Sequence, residues 1–189
     1  MKTSHLFILL GSVAALGALF AALYLGGSAL VLDVAGEQES SGVPASGAGL
    51  LGTELPYFDL PDLAGGRVRS TDFADTPLVI VFWATWNAPS ADEMHILDEY
   101  LADDSAQSRL VKIIAINSQE EKSIVASFMN RGGYGVSTLL DTQGLASERY
   151  AVKSLPTFYF ADRSGAVREI YAGMLSQRAL MNKVEKILQ

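Results

Sequence analysis

The chain has 189 residues, 49% hydrophobic and 19% charged, which suits about one globular domain with an appended segment. Its 14 Lys and Arg against 21 Asp and Glu give a formal net charge of −7, with no basic cluster able to neutralise a nucleic-acid backbone. Zero cysteines and two histidines exclude disulfides, thiol nucleophiles, thiol-attached lipid anchors and Cys-based or multi-histidine metal sites, so neither metal nor cofactor is expected.

Leu6 to Leu32 contains no charged residue. Roughly 20 apolar residues cross a bilayer as a helix, whereas the apolar core of a secretory signal runs to about 7–15. Residues 1–32 are therefore expected to form an uncleaved signal anchor and transmembrane helix. The alternative is a cleaved signal, with Gly26-Gly27-Ser28-Ala29 offering small residues to a peptidase. Lys2 precedes the run, and Asp33, Glu37 and Glu39 follow it, which places the N-terminus in the cytoplasm and the rest in the periplasm or outside the cell. Residues 33–52, "DVAGEQESSGVPASGAGLLG", are Gly, Ser, Ala and acid, and read as a flexible linker.

The domain is expected over residues 53–189. "YFDLPDLAGGRVRSTDF" reads as two short strands around Gly65-Gly66, then a helical turn capped near Ser70. "LVIVFWAT", 78–85, is a short continuous apolar run, as in a buried central strand, with Phe82 and Trp83 as core aromatics. Over 88–103, Met94, Leu97 and Leu101 recur at helical spacing beside Asp92, Asp98, Glu99 and Asp103, which predicts an amphipathic helix with an acidic solvated face. A second buried strand is expected at 110–117, and a helix closed by paired glycines at 120–133. Residues 137–141 and a short helix over 144–150 follow. A hairpin turning at Arg163-Ser164-Gly165, with Phe158 and Phe160 in the core, precedes a terminal helix over 176–188. Strands alternating with helices argue an α/β sandwich around a mixed sheet.

The stretch "VFWATWNAPSADEMH", 81–95, carries the candidate site. Asn87 is a strong N-cap residue, its amide oxygen suited to a first-turn N–H. Ser90-Ala91-Asp92-Glu93 also matches a capping box, so the residues alone leave the choice of cap open. A nucleophilic Ser90 would need His95 as its base. Five residues along a helix rotate the two side chains about 140° apart, and no third group is indicated.

These residues, with "LLDTQGLASERYAVKSLPTFYFADRSGAV" and the final amphipathic helix, make the chain resemble the thioredoxin-like superfamily. The resemblance is to the membrane-tethered thiol-disulfide oxidoreductases of the TlpA/ResA type within the redoxin, AhpC/TSA group. That family's pattern is Trp-Cys-x-Pro-Cys-x-x-Glu at the start of its first long helix. Trp86, Pro89 and Glu93 match it, while Asn87 and Ser90 stand at both cysteine positions. The resemblance implies a thioredoxin-like α/β fold, with Leu155-Pro156-Thr157 as the cis-proline loop against the active-site turn. It also implies a glutamate at position 93 that would tune thiols; if buried, its pKa should rise, and the plainer reading is capping or solvation. A carboxamide and a hydroxyl cannot exchange disulfides. Trp86, Ala88, Pro89, Glu93, Leu155 and Pro156 are therefore expected to line a groove for an extended peptide, with an unidentified protein or peptide partner in the cell envelope and no catalysis. The alternatives are a thiol-disulfide oxidoreductase or antioxidant redoxin, as the resemblance alone implies, and a domain that stabilises a membrane complex with its groove empty.

Overall fold

The structure is a computed structural model that describes residues 46–103 and 109–189. The expected anchor and the linker as far as residue 45 lie outside them. No helix among the described residues is long and apolar enough to cross a membrane. At the end of the stretch read as a linker, Ser46–Leu50 form a 3-10 turn, and the Gly52 N–H donates to the Val167 carbonyl at 2.8 Å. Gly47 is buried there, so close to Tyr159 that a Cβ would come within 2.8 Å of its hydroxyl.

Two sheets form. Strands β1 (Asp59–Pro61) and β2 (Arg67–Arg69) pair as an antiparallel hairpin. The following turn is a 3-10 segment, Ser70–Phe73, whose Asp72 carboxylate accepts from the Arg69 N–H at 2.8 Å. The central sheet has the order β5-β4-β3-β6-β7. Its strands are β3 (Leu78–Trp83), β4 (Lys112–Ser118), β5 (Thr138–Asp141), β6 (Thr157–Ala161) and β7 (Val167–Ala172). β3 runs parallel to β4 and antiparallel to β6, so the sheet is mixed.

All of β3 is buried, and its alternation divides the core in two. Val79, Val81 and Trp83 face a layer built from α1 (Ala88–Ala102), α2 (Lys122–Gly132) and α4 (Gln177–Leu188), through Met94, Leu97, Val125, Leu180 and Val184. Leu78, Ile80 and Phe82 face the β1–β2 hairpin and α3 (Leu145–Arg149), with Phe58, Tyr150 and Tyr159. Phe158 and Phe160 lie in the first layer, as expected of core aromatics.

The structure departs from the sequence expectation at two boundaries and one facing position. Leu110 is 54% exposed, and β4 starts at Lys112. α2 starts at Lys122 because Gln119, at φ 60, turns the chain sharply after β4. In the last turn of α1, Tyr100 takes the inward place and Leu101 is left exposed. The paired glycines do close α2, with Gly133 as the left-handed cap at φ 69.

Candidate functional site

The site is built at the C-terminal end of β3, where the chain turns into α1. Asn87 is the N-cap: its Oδ1 accepts the Ser90 N–H at 2.9 Å and the Ser90 hydroxyl at 2.8 Å. That decides between the two capping schemes. Ser90 lies inside the first turn and is fully buried, so it serves Asn87 and heads no capping box of its own. Ala88 and Pro89 are exposed, and Pro89 sits in the first turn, where a missing N–H costs nothing. Trp86 is 70% exposed, unusual for an indole without a partner surface. His95 is exposed and 3.3 Å from Glu99, while Ser90 is committed to Asn87, so these two form no nucleophile–base pair.

Glu93 lies one turn beyond Ser90 and is fully buried, neither capping nor solvated. Its Oε2 accepts the Leu175 N–H at 2.8 Å, and Oε1 has no hydrogen-bond partner among the described residues. Burial pushes its carboxyl up to about 8, against the smaller opposing effect of the Leu175 bond, so the group is largely protonated at neutral pH.

The Leu155–Pro156 bond is cis. Phe82 pairs with Thr157, which places Pro156 level with Trp83, at the foot of the 84–87 turn. The Pro156 carbonyl accepts the Gly173 N–H at 2.9 Å. Residues 173–175 thus tie the Pro156 loop to Glu93, while Leu155 remains half-buried beside them.

One functional residue escaped the sequence reading. Glu120, nearly buried, holds the turn from across the sheet. Its carboxylate accepts the Thr85 N–H at 2.7 Å, the Thr85 hydroxyl at 2.6 Å and the Asn117 amide at 2.7 Å. The left-handed Gln119 aims Glu120 back at the turn. The Gln119 side chain packs over Gly144, whose φ of 74 favours glycine there. The only sequence signal was an acid just past a predicted strand; its partner Thr85 lies 35 residues away. Glu120→Ala is expected to leave the Thr85 and Asn117 donors without an acceptor and to cost about 2 kcal/mol. Urea unfolding would read that loss, and amide exchange at Thr85 should accelerate with it.

The frame is a mixed sheet with a strand–turn–helix at its centre, a cis-proline loop beside the turn and a buried acid beneath it. That defines a thioredoxin-like domain, here with a capped helix start in place of a dithiol. The chain belongs to the AhpC/TSA family, whose model matches residues 51–170. It is 31% identical over 137 residues to the thiol-disulfide oxidoreductase ResA of Geobacillus thermodenitrificans, covering 72% of this chain and 78% of that protein. To ResA of Bacillus subtilis it is 30% identical over 128 residues, 67% of this chain and 69% of that one. The fold also matches a crystal structure of a thiol:disulfide interchange protein of the thioredoxin family from Chlorobium tepidum. There the TM-score is 0.64 at 22% identity, covering 72% of this chain and 97% of the other.

Proposed function

We propose that this chain is a membrane-tethered, extracytoplasmic member of its family that binds a protein or peptide of the cell envelope and performs no thiol–disulfide exchange. The binding surface is the one around Trp86, Ala88, Pro89, Leu155 and Pro156. One observation carries the reading: Asn87 and Ser90 bond to each other and complete the helix start, which leaves no group there able to take or give electrons, while Trp86 stays 70% exposed beside them. The tether is the uncharged run 6–32.

A second reading follows from the relatives, which are named thiol-disulfide oxidoreductases. The two separate in one assay. Insulin reduction with dithiothreitol should proceed no faster with this protein than without it, because no sulfur cycles; methionine oxidation is no substitute, since its reversal needs another enzyme. Turnover above the protein-free control would establish the second reading. For the first, a photoreactive phenylalanine analogue at position 86 in intact cells should give a discrete adduct in washed membranes. The same analogue at Leu110, exposed outside the site, should not. Equal labelling from both positions, or a protein recovered only in the soluble fraction, would sink the proposal.

A further inference from the structure

On the sheet face away from α1, a cleft of about 490 Å³ opens between the β1–β2 hairpin and α3. Its size falls within the range of small-ligand sites, about 300–1,000 Å³. Tyr57 and Leu145 line it at 49% and 50% exposure, supplying an aromatic and an aliphatic wall.

The charges in the cleft are unevenly matched. Asp59 is shared by two guanidiniums: Arg67 donates to Oδ1 at 2.8 Å and Arg69 to Oδ2 at 3.3 Å. Asp141 is turned into the backbone, accepting the Ala146 N–H at 3.1 Å and the Ser147 N–H and hydroxyl at 2.7 Å. Arg149 donates one N–H to the Tyr57 carbonyl at 3.0 Å, which holds its guanidinium at the cleft. It has no carboxylate partner among the described residues. Among the charged side chains that line the cleft, Asp59 is paired with Arg67 and Asp141 is spent on N–H and hydroxyl donors, so Arg149 is the lining cation with no carboxylate against it.

We propose that this cleft binds a carboxylate carried on an apolar or aromatic body. The carboxylate meets the planar fork of Arg149, which suits two parallel hydrogen bonds. The body lies between Tyr57 and Leu145. A peptide C-terminus and a small free acid share this chemistry. The site does not depend on the Trp86 surface.

The test is amide NMR of the isotope-labelled full chain in detergent micelles, titrated with N-acetylphenylalanine, 3-phenylpropionate and the uncharged N-acetylphenylalaninamide. Both acids are expected to shift amides within 57–60 and 142–149 and to saturate at millimolar concentration. The amide should leave those residues unmoved. Arg149→Met should weaken the acids about tenfold, the cost of one charged hydrogen-bonding partner. Tighter binding of N-acetylphenylalanine points to a peptide terminus, and equal binding to a free acid; either supports the site. Shifts as large with the amide as with the acids would overturn it without recourse to any variant. So would unchanged affinity in Arg149→Met, or no shift in these segments.

Discussion

Replacing Asn87 and Ser90 by cysteine should give this cysteine-free chain a reversible intramolecular disulfide and measurable insulin reduction. The expectation rests on local geometry. The two side chains already meet, Ser90 donating to Asn87 at 2.8 Å across a single helical turn, so sulfurs at these positions start within bridging reach. Position 87 is half-buried and position 90 fully buried, so the first thiol is accessible to a substrate and the second is sheltered to resolve the mixed disulfide. At the N-terminus of α1 the helix dipole and free N–H groups favour the thiolate. Removing the Asn87 cap costs about 1 kcal/mol, which a folded domain should tolerate. The single change Asn87→Cys should form mixed disulfides with glutathione but not turn over, because nothing releases them. A glutathione redox titration, with free thiols counted by alkylation and mass, reads both outcomes. A double variant that folds but never closes its disulfide would mean that positions 87 and 90 cannot bridge. The surface proposed around Trp86 would then lose its structural basis.

Stability should fall as pH rises from about 4.5 to about 8, and Glu93→Gln should remove most of that fall. Glu93 has its ordinary value of 4.5 when unfolded and is raised to about 8 in the fold by burial. Between those values the native state holds a proton that the unfolded state has released, so each step up in pH favours unfolding. The contribution is fully present below the unfolded value and is lost as pH passes through the folded one. A shift of this size corresponds to at most about 5 kcal/mol, before any rearrangement that rehydrates the ionised carboxylate. Glutamine cannot ionise and keeps an oxygen for the Leu175 N–H. Urea midpoints at about pH 6 and about pH 9 should therefore separate widely for the native sequence and converge for the variant. Equal separation in both would show that the pH dependence arises elsewhere.

The sequence by itself determined the elements and their order. Local causes sufficed: the apolar run of β3, the glycines that close α2, the turn at Gly165 and the spacing that faces Met94 and Leu97 inward. It also determined that the chain carries no thiol, since a missing residue type needs no structure to establish. Trp86, Pro89, Glu93 and Pro156 were legible as a constellation because their motifs are short and contiguous. Tertiary structure decided the rest, wherever a group's state depends on something distant along the chain. Asn87 rather than Ser90 is the cap because its Oδ1 accepts the Ser90 N–H, with Ser90 itself buried inside the first turn. Glu93 is buried rather than solvated, with its carboxyl pushed up, and its one partner is the Leu175 N–H far along the chain. Glu120 and Arg149 carry no local sequence signal of a role, and the fold brings each to a distant partner, Thr85 for one and the Tyr57 carbonyl for the other. Periodicity reports which side of an element faces the core. Only packing sets which carboxylate loses its water and which guanidinium is left without a counter-charge.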